Sequence, residues 1–428
     1  MVTHAFRLVR VFLFVVAALA CGAATARAES VCDADGVQTS GAKYRICMPP
    51  SGYNGILVIW AHGFQDAGTP VSIPEDQLCV NDFCLPDIIN GLGFGFATTS
   101  YSKTGLAVLQ GKADILDLVT VFASEKGPPK KVYLIGASEG GLITALMVEQ
   151  HPDIFSAGVA ACGPVGNFRA QIDYFGDGRA TFEYFFPGLI PGDPFNPPAS
   201  LASTWPQYYE DVVKPALLNP DNRSLLDQWV RVAKLPYDPA DYLTTVEHSA
   251  RDVLRYSIVN LVDAAATLGG LPFDNRRRWY MGSDNDLKLN LMVPRATASP
   301  TALATMMTSY NTSGMLNRPL ITLHTLLDQQ VPYWHEPWYD LKTLLSGSLL
   351  TRHLNIPVDR YGHCNFTKGD ALLSFAVMLL YDGMAAEVNG TGSYLDPADL
   401  AAFEQRAQSV GLPSRRSGSA LSITIKQD

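Results

Sequence analysis

Basic residues are outnumbered in this chain. Its 32 Lys and Arg face 41 Asp and Glu, a formal net charge of −9 over 428 residues. That balance argues against binding nucleic acid or an anionic membrane surface, and is silent about a neutral substrate. Charge of either sign is sparse, at 17% against 47% hydrophobic residues. Such a chain is globular and long enough for one large domain with an insertion, or for two domains. Past residue 28 no apolar run is long enough to cross a bilayer, which excludes stable membrane insertion. No internal repeat is visible, which excludes a repeat array.

What is present begins with a targeting segment. Arg7 and Arg10 precede an apolar run at 11–20, of signal-peptide length, and Ala26-Arg27-Ala28 fits a cleavage site. Residues 1–28 are therefore set aside, with Glu29 as the mature start and a secreted or periplasmic destination. Cys21 follows Ala18-Leu19-Ala20, a poor lipidation site because a large aliphatic residue is wanted three positions earlier. Its removal leaves Cys32, Cys47, Cys79, Cys84, Cys162 and Cys364, an even number in an exported chain. Six cysteines allow 15 pairings. Proximity favours Cys32 with Cys47 and Cys79 with Cys84.

The chemistry centres on residues 131–150. A β-forming apolar run ends at Gly136-Ala137-Ser138-Glu139-Gly140-Gly141, and a helical stretch follows. Strand, sharp turn and helix around Gly-x-Ser-x-Gly are what a nucleophile elbow needs. The turn strains the serine backbone, so its neighbours must be small, and the helix N-terminus favours developing negative charge.

Around it, residues 42–162 alternate strand and helix. Strands are read at 42–48, 55–61, 93–101 and 155–161, with helices at 88–92 and 112–125 and a surface loop over 65–88. Continuous apolar strands with short connections predict a mostly parallel sheet flanked by helices, its chemistry at the strand carboxyl ends. Residues 163–318 break the pattern with Pro, aromatics and helical patches at 206–217, 222–233 and 250–268. They read as a mostly helical cap inserted in an α/β fold of two parts, 29–162 and 319–428. Alternation resumes with strands at 319–325 and 350–356 and helices at 333–345 and 369–384. Residues 421–425 have strand composition.

A reactive serine needs a base, a carboxylate to hold it and donors for an oxyanion. Of His62, His151, His248, His324, His335, His353 and His363, the last sits in Tyr361-Gly362-His363-Cys364, just past a strand and before the last core helix. His151 reads as a helix C-terminal cap, His324 as a packed core histidine and His62 as structural. Asp328, in Asp328-Gln329-Gln330-Val331-Pro332, follows a strand end; its rival Asp359 lies too near His363 along the chain to reach the ring from outside. The oxyanion donors are the N–H groups of Glu139 and of Phe64, in His62-Gly63-Phe64.

Together these segments resemble the α/β-hydrolase superfamily, over residues 42–162 and 319–384 and in the order Ser, Asp, His. Asp328 to His363 is 35 positions (363 − 328) and Ser138 to Asp328 is 190 (328 − 138), room for a cap after the sixth strand. The resemblance implies Ser138 as nucleophile, Asp328 and His363 as its partners, and no metal or organic cofactor. Tannase-like and feruloyl-esterase-like enzymes tie a cysteine beside the serine to one beside the histidine. Ala137 breaks that pattern here, but Cys162 at the next strand end is expected to bridge Cys364 and brace the histidine loop.

The leading expectation is a secreted serine esterase acting on a small-molecule or polymer-end ester, with cap residues Phe182, Phe185 and Phe186 as candidate substrate contacts. The elbow and Asp-x-x-Val-Pro are also similar to prolyl-oligopeptidase-type peptidases, for which Glu183, Glu210 and Asp211 could receive a peptide amino terminus. A non-catalytic binding protein on the same fold is the third possibility, set against the presence of all three triad residues.

Overall fold

The computed structural model describes residues 30–80, 83–349 and 351–383. The targeting segment with Cys21, and the tail with residues 421–425, lie outside the described residues.

The strands are β1 (Val31–Cys32), β2 (Gly36–Val37), β3 (Lys43–Met48), β4 (Ile56–Ala61), β5 (Cys79–Val80), β6 (Phe83–Cys84), β7 (Gly95–Thr99), β8 (Lys131–Ala137), β9 (Ala157–Ala161), β10 (Leu320–Leu327) and β11 (His353–Tyr361). Nine of them form one sheet in the order β1-β3-β7-β4-β8-β9-β10-β11, with β2 beside β3. From β7 to β11 all neighbours are parallel, while β1, β2 and the β3–β7 pair are antiparallel. This is the mostly parallel sheet that the apolar strands predict.

Both faces are covered, and the pleat explains why β4 is apolar throughout. In β4, Leu57 and Ile59 point into one core with helices α3 and α4, while Ile56 and Val58 point into the other with α2 and α14. Here α1 is Glu75–Leu78, α2 Leu85–Gly91, α3 Val108–Lys126 and α4 Glu139–Gln150. Residues 65–88 are not wholly loop: they carry α1, the start of α2 and the β5–β6 hairpin, closed by the Cys79–Cys84 disulfide. Each element is too short to leave a periodic pattern.

Between β9 and β10 the described residues form helices and no named strand: α5 (Phe168–Phe185), α6 (Ala199–Tyr208), α7 (Lys214–Leu218), α8 (Arg223–Ala233), α9 (Tyr242–Arg255), α10 (Leu261–Leu268), α11 (Asp286–Met292) and α12 (Pro300–Ser309). After β10 come α13 (His335–Leu345) and α14 (Lys368–Tyr381). Pro206 does not open a helix, as the pattern suggests, but sits inside α6, and a π-helical turn, Tyr209–Val213, follows at once. The helical region has its own core around Phe182, Trp205, Trp229 and Val253. No described helix is long and apolar enough to cross a membrane.

Candidate active site

Strand β8 ends at Ala137 and α4 begins at Glu139, so Ser138 alone makes the turn, with φ 55° and ψ −119°. Left-handed backbone at a serine costs roughly 1–3 kcal/mol, and close packing holds it. A methyl group on Gly140 would overlap the carbonyl of Ala61 at the end of β4, and one on Gly136 would overlap the carbonyl of Gly140. The two glycines are thus required by close backbone approach. The Ser138 N–H donates to the Ala161 carbonyl at 2.9 Å, tying the elbow to β9.

Asp328 and His363 come to this turn from the ends of β10 and β11. His363 Nε2 lies 2.9 Å from Ser138 Oγ, and its Nδ1 donates to Asp328 Oδ2 at 2.8 Å. The other carboxylate oxygen accepts the N–H groups of Gln330 (2.9 Å) and Val331 (2.8 Å). Asp328 is fully buried, which favours its neutral form, yet the charge of His363 and the contact with His324 outweigh burial and hold it well below the usual carboxylate range. Asp359 lies exposed on β11. The histidine loop is anchored where Thr325 Oγ1 donates to the Gly362 carbonyl at 2.6 Å. A disulfide joins Cys162, just past β9, to Cys364, whose Sγ is 3.4 Å from His363 Nε2. Cys32 pairs with Cys47 across β1 and β3.

The loop after β4 runs close beside the elbow. Gly63 N–H donates to Gln77 Oε1 at 2.7 Å, and Phe64 faces the space above Ser138. His62 stacks on Tyr101 at 3.8 Å, with Nδ1 2.6 Å from its neighbour's carbonyl, Gly63 O. Burial pushes its pKa down to about 4, so His62 is a neutral wedge for this loop. The Glu139 side chain accepts the Ala107 N–H at 2.7 Å, joining the elbow to the start of α3, and burial pushes its pKa up to about 8.

Two hollows meet at Ser138. One, about 810 Å³, is walled by Leu142, Phe168, Ile172, Phe175 and Leu261. The other, a cleft of about 1920 Å³, runs between α2 and α14 past Trp60, Leu85, Phe366 and Phe375. Phe64, Ser138, Tyr256 and Gln330 border both. Phe182, Phe185 and Phe186 line neither hollow. Phe182 stacks on Phe186 at 5.0 Å and meets Trp229 edge-on at 5.0 Å, inside the helical core. The aromatics at the cavity are instead Phe64, Phe168, Phe175 and Tyr256. Phe175 stacks on Tyr256 at 4.8 Å, and the Tyr256 hydroxyl donates to Gln330 Oε1 at 3.0 Å. Nothing local in the sequence marks Phe175 or Tyr256. Gln330 adjoins Asp328, a signal that could have found it. Glu183 is held by Arg179 and the Gly188 N–H, Glu210 pairs with Lys214 and Asp211 with Gln207, so none of these acids faces the hollows.

Sheet order, elbow and the order of Ser, Asp and His define the fold as that of an α/β hydrolase. Within it, residues 90–178, from α2 into α5, match the prolyl oligopeptidase family, 89 of 428 residues (178 − 90 + 1). No curated protein matches the chain. Among solved structures it is similar to Candida antarctica lipase A, at 14% identity over 88% of this chain and 84% of that one, with TM-score 0.43. An esterase of Pyrococcus furiosus is similar at 11% identity, 82% and 91% coverage and TM-score 0.40. The acylaminoacyl peptidase of Pyrococcus horikoshii is similar at 10% identity and TM-score 0.39, over 88% of this chain. The chain spans less than half of that peptidase, 44% of its length. At TM-scores below 0.5 these are loose likenesses.

Proposed function

We propose that this chain is an exported serine hydrolase that cleaves carboxylic esters. In this reading His363 takes the proton of Ser138 as Oγ attacks the ester carbonyl. The N–H groups of Phe64 and Glu139 receive the oxyanion, and the alcohol leaves with the proton from His363. Water then adds to the acyl-enzyme by the same route in reverse. Asp328 orients the imidazole and offsets its transient charge.

One observation carries the reading. The Ser138–His363–Asp328 hydrogen-bond chain, at 2.9 and 2.8 Å, opens onto an apolar cavity. An apolar cavity suits an acyl or aromatic group better than a charged peptide terminus. The three disulfides support export. Ser138→Ala is expected to lower kcat on p-nitrophenyl esters by about 10⁴-fold or more without loss of fold. Wild-type rates in that variant would sink the proposal.

A peptidase is the second reading, favoured by the match of residues 90–178 to the prolyl oligopeptidase family. The displacement of Glu183, Glu210 and Asp211 from the hollows weighs against an amino-terminal clamp there. Rates on aminoacyl anilides, set beside those on short and long acyl esters, separate the two.

A further inference from the structure

Asp328 has a second histidine against it. His324 lies four residues earlier on β10, fully buried, with Nε2 3.4 Å from Asp328 Oδ2. Its Nδ1 is 2.9 Å from Glu336 Oε1 on α13, and its Nε2 is 2.7 Å from the Val331 carbonyl. Each ring nitrogen therefore faces an acceptor, which calls for a hydrogen on both. The Thr322 hydroxyl donates to the remaining oxygen of Glu336 at 2.6 Å. The ring so placed sits between two buried acidic side chains, and the imidazolium is the form that donates to both.

The surroundings fit that charge. His335, on the other side of Glu336, accepts the Gly166 and Asn167 N–H groups on Nδ1 and has Nε2 2.8 Å from Gln171 Oε1, so it stays neutral. Tyr333 meets the His324 ring edge-on at 5.8 Å. Tyr174 donates its hydroxyl to the Gln329 carbonyl, and His363 lies beyond Asp328. Burial opposes a charge on His324, but the hydrogen bonds and attraction of Asp328 and Glu336 prevail and push its pKa up to about 10. His324 also grips the acid loop, because Val331, whose carbonyl it holds, donates its own N–H to Asp328.

We propose that His324 is a positioning residue for Asp328: anchored on Glu336, it fixes the Asp328–Val331 loop and shares the carboxylate's charge with His363. The inference rests on the reading of Ser138, His363 and Asp328 given above. Two consequences follow. Asp328 stays ionised in a buried site. Its pull on His363 is also tempered, because a positive charge sits on its far side.

His324→Gln keeps a polar side chain but removes the charge. Expected are a kcat on p-nitrophenyl butyrate lower by about 10- to 100-fold, a KM within about twofold, and an acid limb of kcat/KM moved to higher pH. In an Asp328→Asn background the same change is expected to cost little more, since its effect passes through Asp328. Wild-type kcat and pH profile in His324→Gln would overturn the proposal. So would a loss that multiplies fully with that of Asp328→Asn. If His324→Gln does not fold, ¹⁵N NMR of the wild-type ring decides: both nitrogens protonated from pH 6 to 9 supports the imidazolium, and a neutral tautomer at pH 7 overturns it. Ser138→Ala run in parallel separates the two readings. Retained activity there removes the hydrolase mechanism, while the ring spectrum still reports the state of His324.

Discussion

The sheet and the helical region contribute to the site by different means. The sheet places the candidate catalytic side chains through its backbone: a strained Ser138, a Gly140 pressed against β4, and an Asp328 held by N–H groups of its own loop. The helical region supplies side chains. Phe175 and Tyr256 wall the cavity, and Asp252 accepts the side-chain amides of Gln329 and Gln330, each at 2.9 Å. Tyr361, two residues before His363, donates its hydroxyl to the Thr245 carbonyl at 2.8 Å. The helices therefore grip the two loops that bear Asp328 and His363, as well as forming a wall. Under the proposed function the difference would separate what reacts from what is admitted, with the chemistry on backbone geometry and selectivity on exchangeable side chains.

That separation can be broken at several points. Truncating the helical core should cost stability alone. Phe182→Ala is expected to lose about 3–5 kcal/mol, read by denaturant unfolding, with the order of preference among ester chain lengths unchanged. A changed preference would mean that Phe182 reaches the substrate after all. Truncating the cavity wall should do the reverse. Phe175→Ala is expected to lower kcat/KM for long-chain esters by roughly 1–3 kcal/mol relative to acetate, with a much smaller change in stability. Equal losses on both esters would place Phe175 outside selectivity.

Two of the buried histidines, His62 and His324, give a subtler test, in the pH dependence of stability. His62 has a folded pKa of about 4, below its ordinary 6.5, so its contribution is present above pH 6.5 and lost as pH falls towards 4. His324 has a folded pKa of about 10, above 6.5, so its contribution is full below pH 6.5 and lost as pH rises through 10. Melting temperature should therefore decline on both sides of pH 6.5. His324→Gln should flatten the alkaline side only, and an unchanged alkaline slope would contradict the charge assigned to that ring.

Sheet and elbow were legible in the sequence because their signals are local. A continuous apolar strand, a serine between glycines and an acid or histidine just past a strand end can each be read within a dozen residues. The helical cavity was not legible in the same way. Phe182, Phe185 and Phe186 form a dense aromatic patch, but density marks a core as readily as a pocket. Phe175 differs from Phe182 and Phe185 in the face of α5 on which packing leaves it. Tyr256 lies in the π-helical turn Tyr256–Asn260, whose register no periodicity announces. His324 reads as a packed core histidine, yet its partner Glu336 comes from α13, a contact that only the fold brings about. Short elements such as α1 and the β5–β6 hairpin carry too few residues to show any period.

Activation of Ser138 by His363 and Asp328 beneath the helical wall can be read on the protein itself. Its most direct test is a fluorophosphonate probe on the purified protein, with the adduct mapped by peptide mass spectrometry. One adduct is expected, on Ser138, with labelling slowed by about 10³-fold or more in His363→Ala. A folded protein that takes no label, or takes it on another residue, would contradict it.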